Sequence, residues 1–481
     1  MSESSLKTLS RMTIWLFAGV VLMLLVTAGL RGPDLDEFAT FVFADRSHPL
    51  IYAWRNLWLS ETNPPLFYWM AREWQGLTGP SLLARRLLNG LPLAALCAWG
   101  LWAYRQYPKR RLFICIYSLV VITTNVFSSE FSDYRSYFFQ FVAATIFIGS
   151  ALLDGLDRRV APNYFELASI PFLFELHQIT ALYAGVLLVL FMGADLVEQN
   201  WPRLLARAAA GLVSGAPLLA FTWLQHHQTH AVLSEVAWIS HRSVPSSIAA
   251  MADFMLRDLG ANVFGLVAVV WVLSIKSLRP EPRTSAALLI LLAGLLAGSG
   301  ALLVVNTMTP LIVSRYFAFP AAELCGVLAL LACPLVERHP RLSWLFIAQA
   351  FLYIAIGGVQ MSLDRRWNDG ADKVAALAAQ CPGGDIHAGS NPPMPAERLG
   401  LNYLAQAHGF KVLPPGIGQP GRCPAIYWTE TSPANRKSIA LAGGDVARAA
   451  NDTANWGLSK AALAHAIVVR SANGAILVVR R

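Results

Sequence analysis

Two adjoining stretches, MTIWLFAGVVLMLLVTAGL at 12–30 and GPDLDEFATF at 32–41, decide how this chain is read. The first is an apolar run about as long as the roughly 20 residues a helix needs to cross a bilayer. The second places Asp34, Asp36 and Glu37 at the mouth of that helix. Three carboxylates there are either a wet loop or groups that do chemistry at the lipid surface. Lys7 and Arg11 precede the run, as in a secretory signal. Its length is that of a full span, however, and Ala28-Gly29-Leu30 is a poor cleavage site, so it reads as a retained first helix.

The pattern repeats. Of 481 residues, 55% are hydrophobic and 14% charged, against roughly 25% charged in soluble domains. The net charge of +9 is spread over short segments between apolar runs. No basic stripe with interleaved aromatics occurs, which excludes a nucleic-acid partner. About eleven spans are expected, near 12–30, 85–104, 112–128, 136–153, 164–177, 179–196, 207–224, 258–275, 284–305, 315–335 and 342–361. The fifth is short and carries Glu166 and Glu175. Loops at Arg105–Arg111, Arg158-Arg159, Arg203–Arg207, Lys276–Arg283 and Arg338–Arg341 are all basic and fall on the side of Lys7 and Arg11. The positive-inside rule makes that side cytoplasmic.

An outer segment then runs from Arg31 to about Ser81. Phe38, Phe41 and Val42, then Ile51, Trp54, Leu57 and Trp58, recur at helical spacing. Such helices would lie in the interface with their aromatics at headgroup level. From about Asp364 glycine, proline and asparagine rise. Asp372–Gln380 reads as a helix, and Ala425–Trp428, Ala466–Val469 and Ile476–Val479 as strands, the last two joined through Asn473-Gly474. The expected architecture is an α-helical polytopic membrane protein with interfacial helices in the first outer loop. Residues 1–361 would form the transmembrane domain and 362–481 a small extracytoplasmic α/β domain. Cys97, Cys115, Cys325 and Cys333 fall in spans, whereas Cys381 and Cys423 share the outer domain, where a disulfide is plausible. His226, His227, His230 and His241 crowd one outer loop without a recognised metal-site spacing.

Further motifs follow in order: TNPPLFYWM at 62–70, SSEFSDYRSYFF at 128–139, ELHQITAL at 175–182 and SRYFAFPAA at 314–322. Read as residues, Asp34 suits a helix cap, Pro64-Pro65 a helix start, and the outer-face arginines and tyrosines either anchors or ligands. His177-Gln178, between membrane segments, is costly unless it faces a cavity. Glu323 lies about two turns inside a span, where it should be paired or face water. Trp54, Trp58, Trp69 and Trp74 are either an interfacial belt or stacking surfaces for a sugar or a prenyl chain.

The ordered set resembles the GT-C class of membrane glycosyltransferases, in the branch of protein O-mannosyltransferases, the lipid A aminoarabinose transferase and rhizobial lipopolysaccharide transferases. The likeness covers roughly the first 340 residues. It implies an inverting glycosyltransferase, hexosyl or pentosyl, that takes a sugar from a polyprenyl-phosphate donor to a hydroxyl of a glycan, lipid or protein at the outer face of a bacterial-type inner membrane. It also implies site residues: Asp36 as general base with Glu37 beside it, and Arg135, Tyr137, His177, Arg315 and Tyr316 as donor-phosphate or substrate ligands. Relatives often carry His or Lys where this chain has Asn63, which leaves that motif mainly structural. No cofactor is implied with certainty; carboxylates could hold a divalent cation, but no full ligand set is evident. Two other readings stay open. One is a transporter or flippase for lipid-linked sugars, against which stands the absence of an internal repeat. The other is a polysaccharide polymerase or ligase.

Overall fold

The computed structural model describes residues 3–61, 63–228, 242–260, 262, 281–391, 395–413, 423, 425–430, 467–471 and 474–479. It divides into two compact units: residues 1–28 with 46–359, and residues 29–45 with 360–481.

The first unit is helical. In chain order it holds α1 (Glu3–Leu30), whose last residues pass into the second unit; α3 (Leu50–Tyr52), continued by a π-helical turn at Ala53–Trp58; α4 (Leu66–Thr78); α5 (Leu82–Arg86); and α6 (Gly90–Gln106). After them come α7 (Arg111–Ile122), α8 (Asn125–Phe131), α9 (Tyr137–Leu156), α10 (Tyr164–Glu175), α11 (Gln178–Val197) and α12 (Trp201–Gln228). The last four are α13 (Val244–Leu259), α14 (Pro282–Met308), α15 (Ala318–Arg338) and α16 (Ser343–Leu363), whose last residues belong to the second unit. Among the described residues eight helices are long and apolar enough to span a membrane, or nine if the bent pair α7–α8, which turns by 58°, is one span. The chain is an integral membrane protein.

The expected count of eleven is not met for identifiable reasons. Most of 258–275 lies outside the described residues. The segment 164–177 forms the twelve-residue α10, about 18 Å at 1.5 Å per residue and well short of a 30 Å hydrocarbon core. Two helices form the centre of the bundle: 94% of the apolar window of α9 is buried, and 83% of the window containing α15. Both are predominantly apolar, as centrally placed helices should be, with Asp154 in the first and Glu323 in the second as buried exceptions.

Arg203 and Arg207, expected in a basic loop, lie inside α12 instead. Asn200 starts that helix by accepting the Arg203 N–H. The two guanidiniums reach back to carboxylates on neighbouring helices. Arg207 meets Glu166 at 2.6 Å and Asp195 at 2.7 Å, and Arg203 meets Asp195 at 2.5 Å. All four side chains are buried. Nearby, Asp154 accepts from the Tyr107 hydroxyl and from the backbone and side chain of Asn163. Charges in hydrocarbon are tolerated when paired in this way.

The second unit joins α2 (Leu35–Phe43) to the C-terminal residues. It contains α17 (Arg366–Ala378), β1 (Asp385–Asn391), α18 (Pro395–His408), β2 (Lys411–Leu413), β3 (Ala425–Glu430), β4 (Ile467–Ser471) and β5 (Gly474–Val479). The sheet order is β2-β1-β3-β5-β4, with β1 parallel to β2 and β3, and β5 antiparallel to β3 and β4. Residues 472–473 of the expected hairpin turn lie outside the described residues. Phe38 and Phe41, spaced for one helix face, pack within the second unit. Phe38 stacks edge-on against Trp367, and Phe38 and Phe41 both face Tyr403. Arg31 and Arg366 share Asp364, at 3.1 and 3.0 Å, and Arg366 also binds Asp34 at 2.7 Å. Gly32 is required here, because a Cβ would fall 1.9 Å from the Arg365 carbonyl oxygen. Cys381 and Cys423 precede the paired strands β1 and β3 and face one another as thiols. Burial, and next the neighbouring thiol, push Cys381 up to about 12.

Candidate functional site

Five of the residues singled out by the motifs come together in the first unit. The rings of His177 and Tyr316 lie 4.6 Å apart between centroids, Tyr137 and His177 6.1 Å, and Tyr137 and Tyr316 6.3 Å. The Arg135 guanidinium stands 5.7 Å from the Tyr137 ring centre, and Arg315 stands 5.7 Å from that of Tyr316. Both are within the range of cation–π attraction. The cluster is therefore three rings flanked by two cations.

Local folding explains each placement. His177 occupies the N-cap of α11, where its Nδ1 accepts the Ile179 N–H at 3.1 Å. Ser, Thr, Asp or Asn usually hold that position. With Nδ1 accepting, the ring proton of the neutral form sits on Nε2 as a donor. Burial, and then the charge of Arg135, hold the His177 pKa down to about 3, so the imidazole is neutral at physiological pH. Arg135 is carried by a turn that Asn89 clamps, its Nδ2 donating to the carbonyls of Phe131 and Asp133, each at 2.8 Å. The Tyr134 hydroxyl ties the same turn to Ala71 at 3.0 Å. Arg315 and Tyr316 ride on a short 3-10 turn, Ser314–Phe317. Asn306 Oδ1 orders its approach by accepting the N–H groups of Leu311 and Ile312.

Sequence reading passes over one carboxylate of this cluster, Glu61. Burial alone would lower the Arg135 pKa, but Tyr68, Tyr137 and Glu61 outweigh it and keep the guanidinium charged. Glu61 Oε1 accepts from Asn63 at 3.0 Å, so Asn63 orients an acid within the motif. Gln225 fixes that turn further, donating to the Glu61 carbonyl while it accepts from Gln178 at 3.1 Å. Burial also pushes the Tyr68 phenol up, keeping it protonated. The available signal for Glu61 was its place two residues before Asn63; no periodicity marks it.

Asp36 and Glu37 belong to the second unit. Asp34 is the N-cap of α2, and a capping box closes as Glu37 Oε2 accepts the Asp34 N–H at 2.9 Å. The Glu37 carboxylate is thus fully buried and locally engaged, whereas Asp36 is half-buried in the first turn. Among the described residues no three His, Cys, Asp or Glu side chains gather as a metal site. His230 and His241 lie outside them. Glu323 is buried against Gly294 of α14, and neither of its oxygens has a hydrogen-bond partner among the described residues.

Of the four tryptophans, Trp74 is a structural donor to the Ala84 carbonyl at 2.7 Å. Trp54, Trp58 and Trp69 instead line a cavity of about 600 Å³ together with Pro65, Leu66 and Glu175. A second cavity, about 480 Å³ between α1, α6 and α7, is apolar and carries no charged group.

No family model matches the sequence, and a search of curated proteins finds no match. The fold, by contrast, has solved counterparts. The chain superposes on the crystal structure of ArnT from Cupriavidus metallidurans bound to undecaprenyl phosphate with a TM-score of 0.52 and 13% identity, covering 97% of both chains. The apo form of the same protein gives 0.52 and 14%, again over 97% of both. The fold is therefore similar to that of these solved ArnT structures.

Proposed function

We propose that the chain is an inverting glycosyltransferase that moves a sugar from a polyprenyl-phosphate carrier to a hydroxyl group at the outer face of an inner membrane. The observation that carries this reading is the cluster of Arg135, Arg315, neutral His177, Tyr137 and Tyr316 at one end of membrane-spanning helices. Guanidinium forks match phosphate oxygens and stay charged when buried. A neutral imidazole N–H and phenol hydroxyls add donors without titrating near neutral pH. Undecaprenyl phosphate on the structural counterpart supports a prenyl-phosphate ligand.

In the reaction, the acceptor oxygen attacks the anomeric carbon as the bond from that carbon to the phosphate oxygen breaks. The acceptor proton passes to a carboxylate, and the electron pair leaves with the polyprenyl phosphate. Arg135 and Arg315 stabilise that leaving charge, with His177 donating; such fixed donors are usually a large catalytic term. Asp36 is assigned the base by its place in the Asp-Glu motif. Glu37, closing the capping box, orients the turn that carries it. Either a hexosyl or a pentosyl donor fits this chemistry, as does a glycan, lipid or protein acceptor. In this reading the N-terminus faces the cytoplasm and residues 362–481 lie outside, on the strength of the basic loops.

Purified protein in nanodiscs, given radiolabelled polyprenyl-phosphate sugars and membrane extract, should form a labelled acceptor. Asp36→Asn should abolish transfer while the protein stays folded. Movement of the lipid-linked sugar across the bilayer without bond formation would replace this reading with a transporter.

A further inference from the structure

The cavity lined by Trp54, Trp58 and Trp69 joins apolar walls, to which Leu50 and Ile51 also contribute, with a single acid. Trp54 and Trp58 sit on the π-helical turn Ala53–Trp58, a rare conformation that recurs at functional sites. The turn sets the two indoles edge to face, 6.3 Å apart, with Trp54 also against Phe221 at 6.0 Å. Trp69 lies across from them on α4 and is 47% exposed. Glu175 enters from the end of α10, the one charged side chain in the lining. Its Oε1 is buried and has no hydrogen-bond partner among the described residues. A buried acceptor without a donor calls for an explanation.

Two chain segments connect this cavity to the cation cluster. The Pro64-Pro65 turn and α4 carry Asn63 and Tyr68 of the cluster and Pro65, Leu66 and Trp69 of the cavity. The break between α10 and α11 carries His177 of the cluster, two residues after Glu175. A prenyl chain would fill the aromatic walls but, although the Leu218 backbone serves the carboxylate, would offer Oε1 no donor, which is costly. A sugar ring satisfies both surfaces, with an apolar C–H face for the indoles and hydroxyl donors for the acid.

We propose that Trp54, Trp58, Trp69 and Glu175 form a carbohydrate subsite, in which the indoles stack on a sugar ring and Glu175 accepts hydrogen bonds from its hydroxyls. This deepens the transfer reaction above and rests on it. The ring is that of the donor sugar or of an acceptor glycan.

The test is a binding titration of the full chain in nanodiscs, with saturation-transfer NMR on the sugar C–H protons. The probes are undecaprenyl phosphate, undecaprenyl phosphates carrying a hexose or a pentose, and a lipopolysaccharide core oligosaccharide. For a donor subsite, a sugar-bearing lipid binds about tenfold more tightly than the bare lipid, the scale of a charge-assisted hydrogen bond. Glu175→Ala or Trp69→Ala removes that advantage and leaves the bare lipid unaffected, and Glu175→Gln restores part of it. For an acceptor subsite, the same variants weaken the oligosaccharide instead. Both substitutions are at half-buried or exposed side chains, so folding is preserved. The proposal is overturned if no sugar-bearing probe depends on Glu175 and Trp69. It is also overturned if the bare lipid weakens equally, which assigns the cavity to the prenyl chain. Failure of wild-type protein to bind undecaprenyl phosphate at all strikes the transfer reading separately, since the oligosaccharide arm is read without it.

Discussion

At the Asp154 end of α9, Arg203 and Arg207 are buried against Asp195 and Glu166. At the Tyr137 end, Arg135 and Arg315 stand over phenol rings. Tyr137 and Asp154 are separated by about 25 Å of helix at 1.5 Å per residue. His177 and Asp195 likewise begin and end α11. The same helices thus carry two pairs of arginines in different surroundings. The two guanidiniums, matched with buried Asp195 and Glu166 and with Glu198 at 2.7 Å from Arg203, form a charge-compensated knot that can sit among apolar side chains. Ring contact engages the flat face of a guanidinium, whereas its N–H donors lie at the edge, where anions bind. Ring contact occurs at both ends, since Arg207 also lies 5.1 Å from the Phe191 ring centre; what differs is the pair of buried carboxylates within 2.7 Å of Arg207.

The most forceful way to break this contrast is at the paired end. Asp195→Ala removes the carboxylate that both guanidiniums share, leaving Arg207 with Glu166 and Arg203 with the more exposed Glu198, and the loss should be about 3 kcal/mol. Thermal unfolding in detergent reads it directly; an unchanged melting curve would mean the knot is incidental. At the other end the sign of the effect changes. Arg135→Gln or Arg315→Gln should leave the melting curve nearly in place and cut transfer by roughly a hundredfold, the cost of removing one charge-stabilising donor. If those variants unfold instead, the two arginine pairs are not different in kind.

The third test uses acidity. His177 is held near 3 in the folded chain and titrates near 6.5 when unfolded. Below about pH 6.5 the unfolded chain therefore takes up a proton that the folded chain refuses, so stability falls with pH. By pH 5 the loss attributable to this one group is about 2 kcal/mol. His177→Asn, which keeps a good N-cap, should flatten that part of the profile relative to wild type between pH 7 and 5. Identical slopes would show that the ring is not held neutral. The mildest change is at Tyr316. Tyr316→Phe keeps the face under Arg315 and should cost transfer about threefold or less, while Tyr316→Ala should cost more. Equal losses would put the hydroxyl, rather than the ring, in charge.

Much of this was legible in the sequence, for unequal reasons. Spans such as 12–30 and 284–305 announce themselves because lipid exposure demands an uninterrupted apolar run. The cluster residues were legible by motif order, since Arg135, His177 and Arg315 each sit where a span begins. Glu61 was not, because nothing in its spacing reveals that Gln225, far along the chain, anchors its turn. The Asp195–Arg203 pairing was hidden for a related reason: basic residues near a span end read as a topology signal until the helix start at Trp201 is known. In the second unit β1, DIHAGSN, is composed of weak strand formers, yet it pairs on both edges because β2 and β3 flank it. Phe38 and Phe41 had the right helical spacing, but periodicity gives a face and not the surface that covers it.

The contacts of α2 have a consequence for biosynthesis. Residues near the start of the chain are braced by Asp364, Arg366, Trp367 and Tyr403, which the ribosome adds more than 300 positions later by the numbering itself. A polypeptide cut short before that region would insert its early helices yet leave the acidic turn without its scaffold. Completion of the last quarter is thus a built-in checkpoint on the first loop, and late truncations should behave as early lesions.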